Sequence, residues 1–206
     1  MSGGPRSPRR LWLVRHGETE GQSSIRFHGR NDVRLSDLGR AQIRALAPLL
    51  AGVEFARVVH SPLLRAAESA AILATACGVP TARVQAEERL REISFGACEG
   101  MTEAEIEAAF PDFWRSYRGG GTDTFPAGEP RPTFVARVQG AIRELAATEW
   151  SGDLLVVSHR GTTRQALRAL LAVPAGQPDE FGVELGSVST VREEGGWRLE
   201  ALGLLP

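Results

Sequence analysis

Apolar and polar positions along this chain fall into two kinds of segment that alternate. Four short runs carry apolar residues at consecutive positions: Leu11-Trp12-Leu13-Val14, Arg57-Val58-Val59-His60, a weaker one around Arg83-Val84-Gln85-Ala86, and Asp153-Leu154-Leu155-Val156-Val157-Ser158. Such runs predict strands buried on both faces. Between them the apolar residues recur at helical spacing. Ser36 is placed to cap a run through Leu38, Ile43, Leu46 and Leu50 that Gly52 closes, and Leu63 to Cys77 closes in the same way at Gly78. Thr133 to Thr148 and Thr162 to Leu171 predict two further helices. Strands of this kind alternating with helices imply an α/β fold, a three-layer sandwich whose mostly parallel sheet is flanked by helices. The stretch from about Thr102 to Pro130 breaks the alternation with three consecutive glycines, Gly119 to Gly121, and with Phe110, Phe113, Trp114 and Tyr117. It predicts a small helical cap inserted into the sheet domain, its aromatics serving more as core than as ligand contacts. Leu185 to Val191 and Trp197 to Leu202, around Gly195-Gly196, predict a closing hairpin.

Composition narrows the class. At 206 residues and 42% hydrophobic content the chain can bury one proper core, so residues 11–206 are expected to form a single domain, preceded by a frayed tail over residues 1–10. The 24 basic residues, all of them arginine, nearly balance 25 acidic ones. No field draws the chain to nucleic acid or to a membrane surface, and no segment approaches the length of a membrane span. A sequence without lysine cannot use a lysine Schiff base or a P-loop lysine. Cys77 and Cys98 show no metal-ligand spacing and no disulfide framework, which fits a reducing, cytoplasmic setting. The sequence leaves the oligomeric state open.

The chemistry gathers at the predicted strand ends, where an open α/β sheet binds its ligands. The first strand delivers Arg15 and His16, the second leads through Ser61 and Pro62 to Arg65, and the last, Asp153 to Ser158, delivers His159 and Arg160. Two imidazoles among guanidiniums form a pocket for a dianion, because arginine binds phosphate oxygens bidentately and keeps its charge. A neutral imidazole can attack phosphorus, dividing one hard displacement into two easier ones. Arg15 and Arg65 are expected to lower the pKa of His16, and a bond from its other ring nitrogen to a carbonyl near Gly17 would fix the tautomer. The leaving oxygen then needs a carboxyl group. Spacing alone leaves Glu92, Glu99, Glu87, Glu88 and Glu18 as candidates. His60, inside a strand pattern, is expected to be packed or capping.

Arg15-His16-Gly17-Glu18-Thr19 resembles the signature of the histidine phosphatase superfamily, which includes the phosphoglycerate mutases. The resemblance continues through Gly29-Arg30-Asn31-Asp32-Val33-Arg34-Leu35-Ser36 with Gly39 and Gln42, through Ser61-Pro62-Leu63-Leu64-Arg65-Ala66, and through Leu90-Arg91-Glu92-Ile93-Ser94-Phe95-Gly96 with Glu99-Gly100. Gly128-Glu129 and Ser158-His159-Arg160-Gly161-Thr162 complete the series. It implies His16 as nucleophile, Glu92 as proton donor and base, and Arg15, Arg65 and His159 around the phosphate. It implies no cofactor and no metal, and a small phosphorylated metabolite as partner. The chain departs from the family pattern in three places. Gly21-Gln22 stands where relatives commonly show Trp-Asn, so Gln22 is expected to contact phosphate. His28 precedes the pocket glycine Gly29, both expected at the phosphate, and Arg160 replaces a common glycine, placed either to bind a second anionic group of the substrate or to turn outwards to solvent. Mutases of the family carry longer insertions, and they tend to show an asparagine and a serine after the second pocket histidine. This chain reads His159-Arg160-Gly161-Thr162-Thr163, which implies a phosphomonoester hydrolase. A mutase-type phosphoryl transferase and a non-catalytic phospho-ligand binding module are the alternatives.

Overall fold

A computed structural model describes residues 9–174 and 181–206. Its main sheet has six strands: β1 (Arg10–Arg15), β3 (Phe55–His60), β4 (Val84–Ala86), β6 (Asp153–Ser158), β7 (Val188–Glu193) and β8 (Trp197–Leu204), ordered β4-β3-β6-β1-β7-β8. The first four in that order are parallel; β7 and β8 are antiparallel and form the hairpin at one edge. Of the four expected strands, β3, β6 and β1 lie inside the sheet and the weaker one, β4, at its edge.

Alternate residues of those strands feed two separate cores, which is why the runs show no polar alternation. Leu11, Leu13, Leu154 and Val156 pack with Phe134, Val138, Ile142 and Leu167 of helices α5 (Arg131–Ala147) and α6 (Arg160–Leu170). Val14, Val58, Leu155 and Val157 pack on the other face with Ile43, Leu46, Ala70 and Leu73, from helices α1 (Asp37–Ala45) and α2 (Leu64–Ala76) and the turn after α1. Ser36 caps α1, its hydroxyl accepting from the Gly39 amide at 3.1 Å. The helix ends before Pro48, and a short 3-10 turn carries the run on to Leu50. Leu38, expected on the inner face, is instead 61% exposed, because Gly39 takes the inward position against the main chain of Glu18.

The cap comprises α3 (Glu103–Ala109), α4 (Pro111–Arg118) and the loop that follows, built around buried Cys98, Ile106, Trp114 and Phe125. Phe27 and Phe95 join this cluster from outside the expected span of 102–130. A two-stranded ribbon, β2 (Arg26–Phe27) with β5 (Met101–Thr102), ties the segment after His16 to the cap. Arg9 and Arg10 of the expected tail belong to the sheet domain. Arg10 opens β1 and Arg9 donates to Glu193 at 2.7 Å, so only residues 1–8 of that stretch lie outside the described residues. No helix among the described residues is long and apolar enough to cross a membrane.

Candidate active site

The register of three adjacent strands assembles the site. Arg15 of β1 pairs with Ser158 of β6, and His60 of β3 pairs with Val157, so the residues just beyond the strands, His16, His159 and Ser61, fall side by side. The amides of His16 and Ser61 both donate to β6, to Ser158 O at 3.0 Å and to Val157 O at 3.0 Å. The two imidazole rings stand 5.2 Å apart, edge towards face. Both histidines are buried.

His16 Nδ1 lies 2.7 Å from the Gly17 carbonyl. A carbonyl can only accept, so Nδ1 carries the proton and Nε2 keeps its lone pair. Burial, followed by the charges of Arg65 and Arg15, holds His16 well below the ordinary imidazole range. His159 is lowered in the same way, by burial first and then by Arg65, His16 and Arg15. Its Nε2 is 2.7 Å from the Ser61 hydroxyl, while its buried Nδ1 has no partner among the described residues.

Each guanidinium is fixed by backbone carbonyls, which spend some of its donors on aiming the rest. Arg65 donates to Asn31 O and Gly29 O, both at 2.7 Å. Gly29 turns with a φ of 51°, where a Cβ would meet Glu99 Oε1 at 2.7 Å. Arg15 donates to Val183 O at 2.8 Å, and its buried Nε has no partner among the described residues. Burial first, with Arg160 second, brings Arg15 down to about 10, and burial brings Arg65 to about 10. Both remain cationic at neutral pH.

The competing carboxylates separate by their partners. Glu92 is buried, and its oxygens accept from the Ile93 amide at 3.0 Å and the Gly161 amide at 2.9 Å. Its loop is held from beneath by Arg137, which donates to the carbonyls of Arg89, Arg91 and Glu92 and forks onto Glu129 at 2.7 Å. Glu99 is occupied with the Arg30 and Phe95 amides and the Ser94 hydroxyl. Glu18 holds the Thr19 and Ser24 amides, and Glu87 and Glu88 pair with Arg89 and Arg91. His60 bonds the Ser61 carbonyl.

A cavity of about 490 Å³ opens over these groups. Arg15, His16, His28, Gly29, Arg65, Glu92, His159 and Arg160 all line it, so seven of the eight expected site residues and Arg160 come together. Gln22 does not. It is exposed, at a φ of 60° where the chain turns back, and Ser23 and Ser24 reach the cavity instead. His28 bonds the Gly21 carbonyl through Nε2, and burial lowers its pKa. Ile25, Arg26, Phe27, Phe95 and Thr102 to Ala104 form the outer wall. Sequence reasoning did not find Ser61 as the partner of His159, nor Arg137 or Gly161. Ser61 lay within a quoted motif, but its role depends on the β3–β6 register.

The family model of the histidine phosphatase superfamily (branch 1) matches residues 11–204. The glucosyl-3-phosphoglycerate phosphatase of Mycobacterium tuberculosis is 32% identical over 197 residues, 92% of this chain and 86% of that protein. Phosphoserine phosphatase 1 of Hydrogenobacter thermophilus is 31% identical over 186 residues, 90% of this chain and 87% of that protein. The crystal structure of the alpha-ribazole phosphatase of Shigella flexneri superposes with a TM-score of 0.83 at 27% identity, covering 95% of this chain and 96% of that one.

Proposed function

The chain belongs to the histidine phosphatase superfamily, and from that premise we propose that it hydrolyses a small phosphomonoester through a phosphohistidine on His16, without a metal. The observation that carries this reading is the His16 ring. Its Nδ1 is committed to Gly17 O and it stays neutral under burial and two guanidiniums, which leaves Nε2 as a lone pair facing an anion pocket. In the proposed reaction Arg15 and Arg65 hold the non-bridging phosphoryl oxygens. The Ser61 hydroxyl donates to His159 Nε2, so His159 Nδ1 carries a proton and donates it in a hydrogen bond to the same group. Nε2 of His16 attacks phosphorus as the ester P–O bond breaks, and the leaving oxygen takes the proton of Glu92. Glu92, now a carboxylate, removes a proton from water. The resulting oxygen attacks phosphorus, the P–N bond breaks and inorganic phosphate leaves.

The relatives act on chemically different phosphomonoesters, so their names support the reaction class without choosing a substrate. The test is release of inorganic phosphate from p-nitrophenyl phosphate in the presence of EDTA. The wild-type chain is expected to turn over and His16→Ala to lose that turnover. Retained turnover in the variant would end this mechanism, and isomerisation of a phosphoglycerate with negligible hydrolysis would make the acceptor a hydroxyl instead of water.

A further inference from the structure

We propose that Arg160 selects substrates that carry a carboxylate close to the phosphoryl group. This deepens the phosphatase reading and rests on it. Four guanidiniums line the cavity, and three have fixed partners. Arg65 is held by Asn31 O and Gly29 O, Arg15 by Val183 O, and Arg26 by Gly100 O and the Glu105 carboxylate at 2.7 Å. Arg160 is exposed at the cavity wall and takes no hydrogen bond or ion pair from any described residue. Of the two carboxylates that line the cavity, Glu92 is engaged by backbone amides and Glu103 faces Arg118 at 3.7 Å.

The position of Arg160 is electrostatically unfavourable without an anion. It is the first residue of α6, where the helix dipole presents positive charge and disfavours a cation. It also acts on Arg15, whose own charge is already desolvated. With Glu92 carrying the proton that the proposed reaction gives to the leaving oxygen, a phosphomonoester dianion matches the two charges of Arg15 and Arg65, which leaves one cation over. A single guanidinium fork matches one carboxylate in both charge and shape. A second anionic group a few atoms from phosphorus would therefore complete the charge balance of the cavity.

The experiment compares 3-phosphoglycerate with glycerol 3-phosphate, which differ at the carboxylate, on the wild-type chain and on Arg160→Gln. Two readouts are taken: kcat/KM for phosphate release, and the shift in melting temperature at saturating ligand. The wild-type chain is expected to favour 3-phosphoglycerate in both, and the variant to lower the ratio of the two kcat/KM values about tenfold or more. The larger melting shift with 3-phosphoglycerate is expected to vanish in the variant. An unchanged ratio, or an equal loss on both compounds, overturns the proposal, the latter because Arg160 would then be one more phosphate ligand. If neither compound nor p-nitrophenyl phosphate is hydrolysed the phosphatase reading fails, while the melting shifts still decide whether Arg160 recognises the carboxylate.

Discussion

Two glycine backbone groups orient the two side chains of the proposed reaction. The Gly17 carbonyl takes the Nδ1 proton of His16, and the Gly161 amide holds one oxygen of Glu92. Gly161 also leaves the space Glu92 occupies, since a Cβ there would lie 2.5 Å from Glu92 Oε1. The atom that must give way is the end of a side chain, so the fold survives and Glu92, the proposed proton donor, moves. Gly161→Ala is expected to lower kcat about tenfold or more with KM and melting temperature little changed, which steady-state kinetics and a thermal melt would check. At this scale the sequence was informative about place where a residue sits at a strand end, as for His16, Arg15 and His159, all of which line the cavity. It misled at Gln22, whose place in the motif implied a phosphate contact. The chain there turns with positive φ and Gln22 is exposed outside the cavity lining, to which neighbouring Ser23 contributes.

Among the elements, α5 does more than cover the sheet. Arg137 on its inner side binds three carbonyls of the loop carrying Glu92 and forks onto buried Glu129. Arg137→Met leaves that carboxylate buried without its main partner, at an expected cost of about 3 kcal/mol, and frees the loop. Adding Glu129→Leu is expected to recover much of the stability but not kcat, because the carbonyl contacts remain lost; recovery of both would mean that the pair has no positioning role. The central strands were legible because each is apolar on both faces, a pattern that burial between two helix layers requires. The β2–β5 ribbon was not, since two residues a side carry no period. The cap aromatics were rightly expected to form a core, but the cluster also draws in Phe27 and Phe95, which no local pattern connects to residues 102–130.

Across the whole molecule, the cost of the site is positive charge and desolvated imidazole gathered at one sheet edge. Unfolded, His16 and His159 titrate near the ordinary value of about 6.5; folded, both lie well below it. Acid therefore protonates the unfolded chain first. Their contribution leaves stability intact above about pH 6.5 and removes it as pH falls from there towards the folded values, by at most about 1.4 kcal/mol per pH unit for each ring. Melting temperatures in phosphate-free buffer are expected to fall from pH 7 to 5.5, with a shallower slope in His159→Gln; equal slopes would contradict that origin. The central claim is that His16 Nε2 takes the phosphoryl group covalently. The direct test is rapid quench of the wild-type chain with a phosphomonoester labelled in its phosphoryl group. The account predicts a labelled protein, stable to base and labile to acid, with the label on His16 and kinetically competent for phosphate release; phosphate released in a first turnover with no label ever on His16 would contradict it.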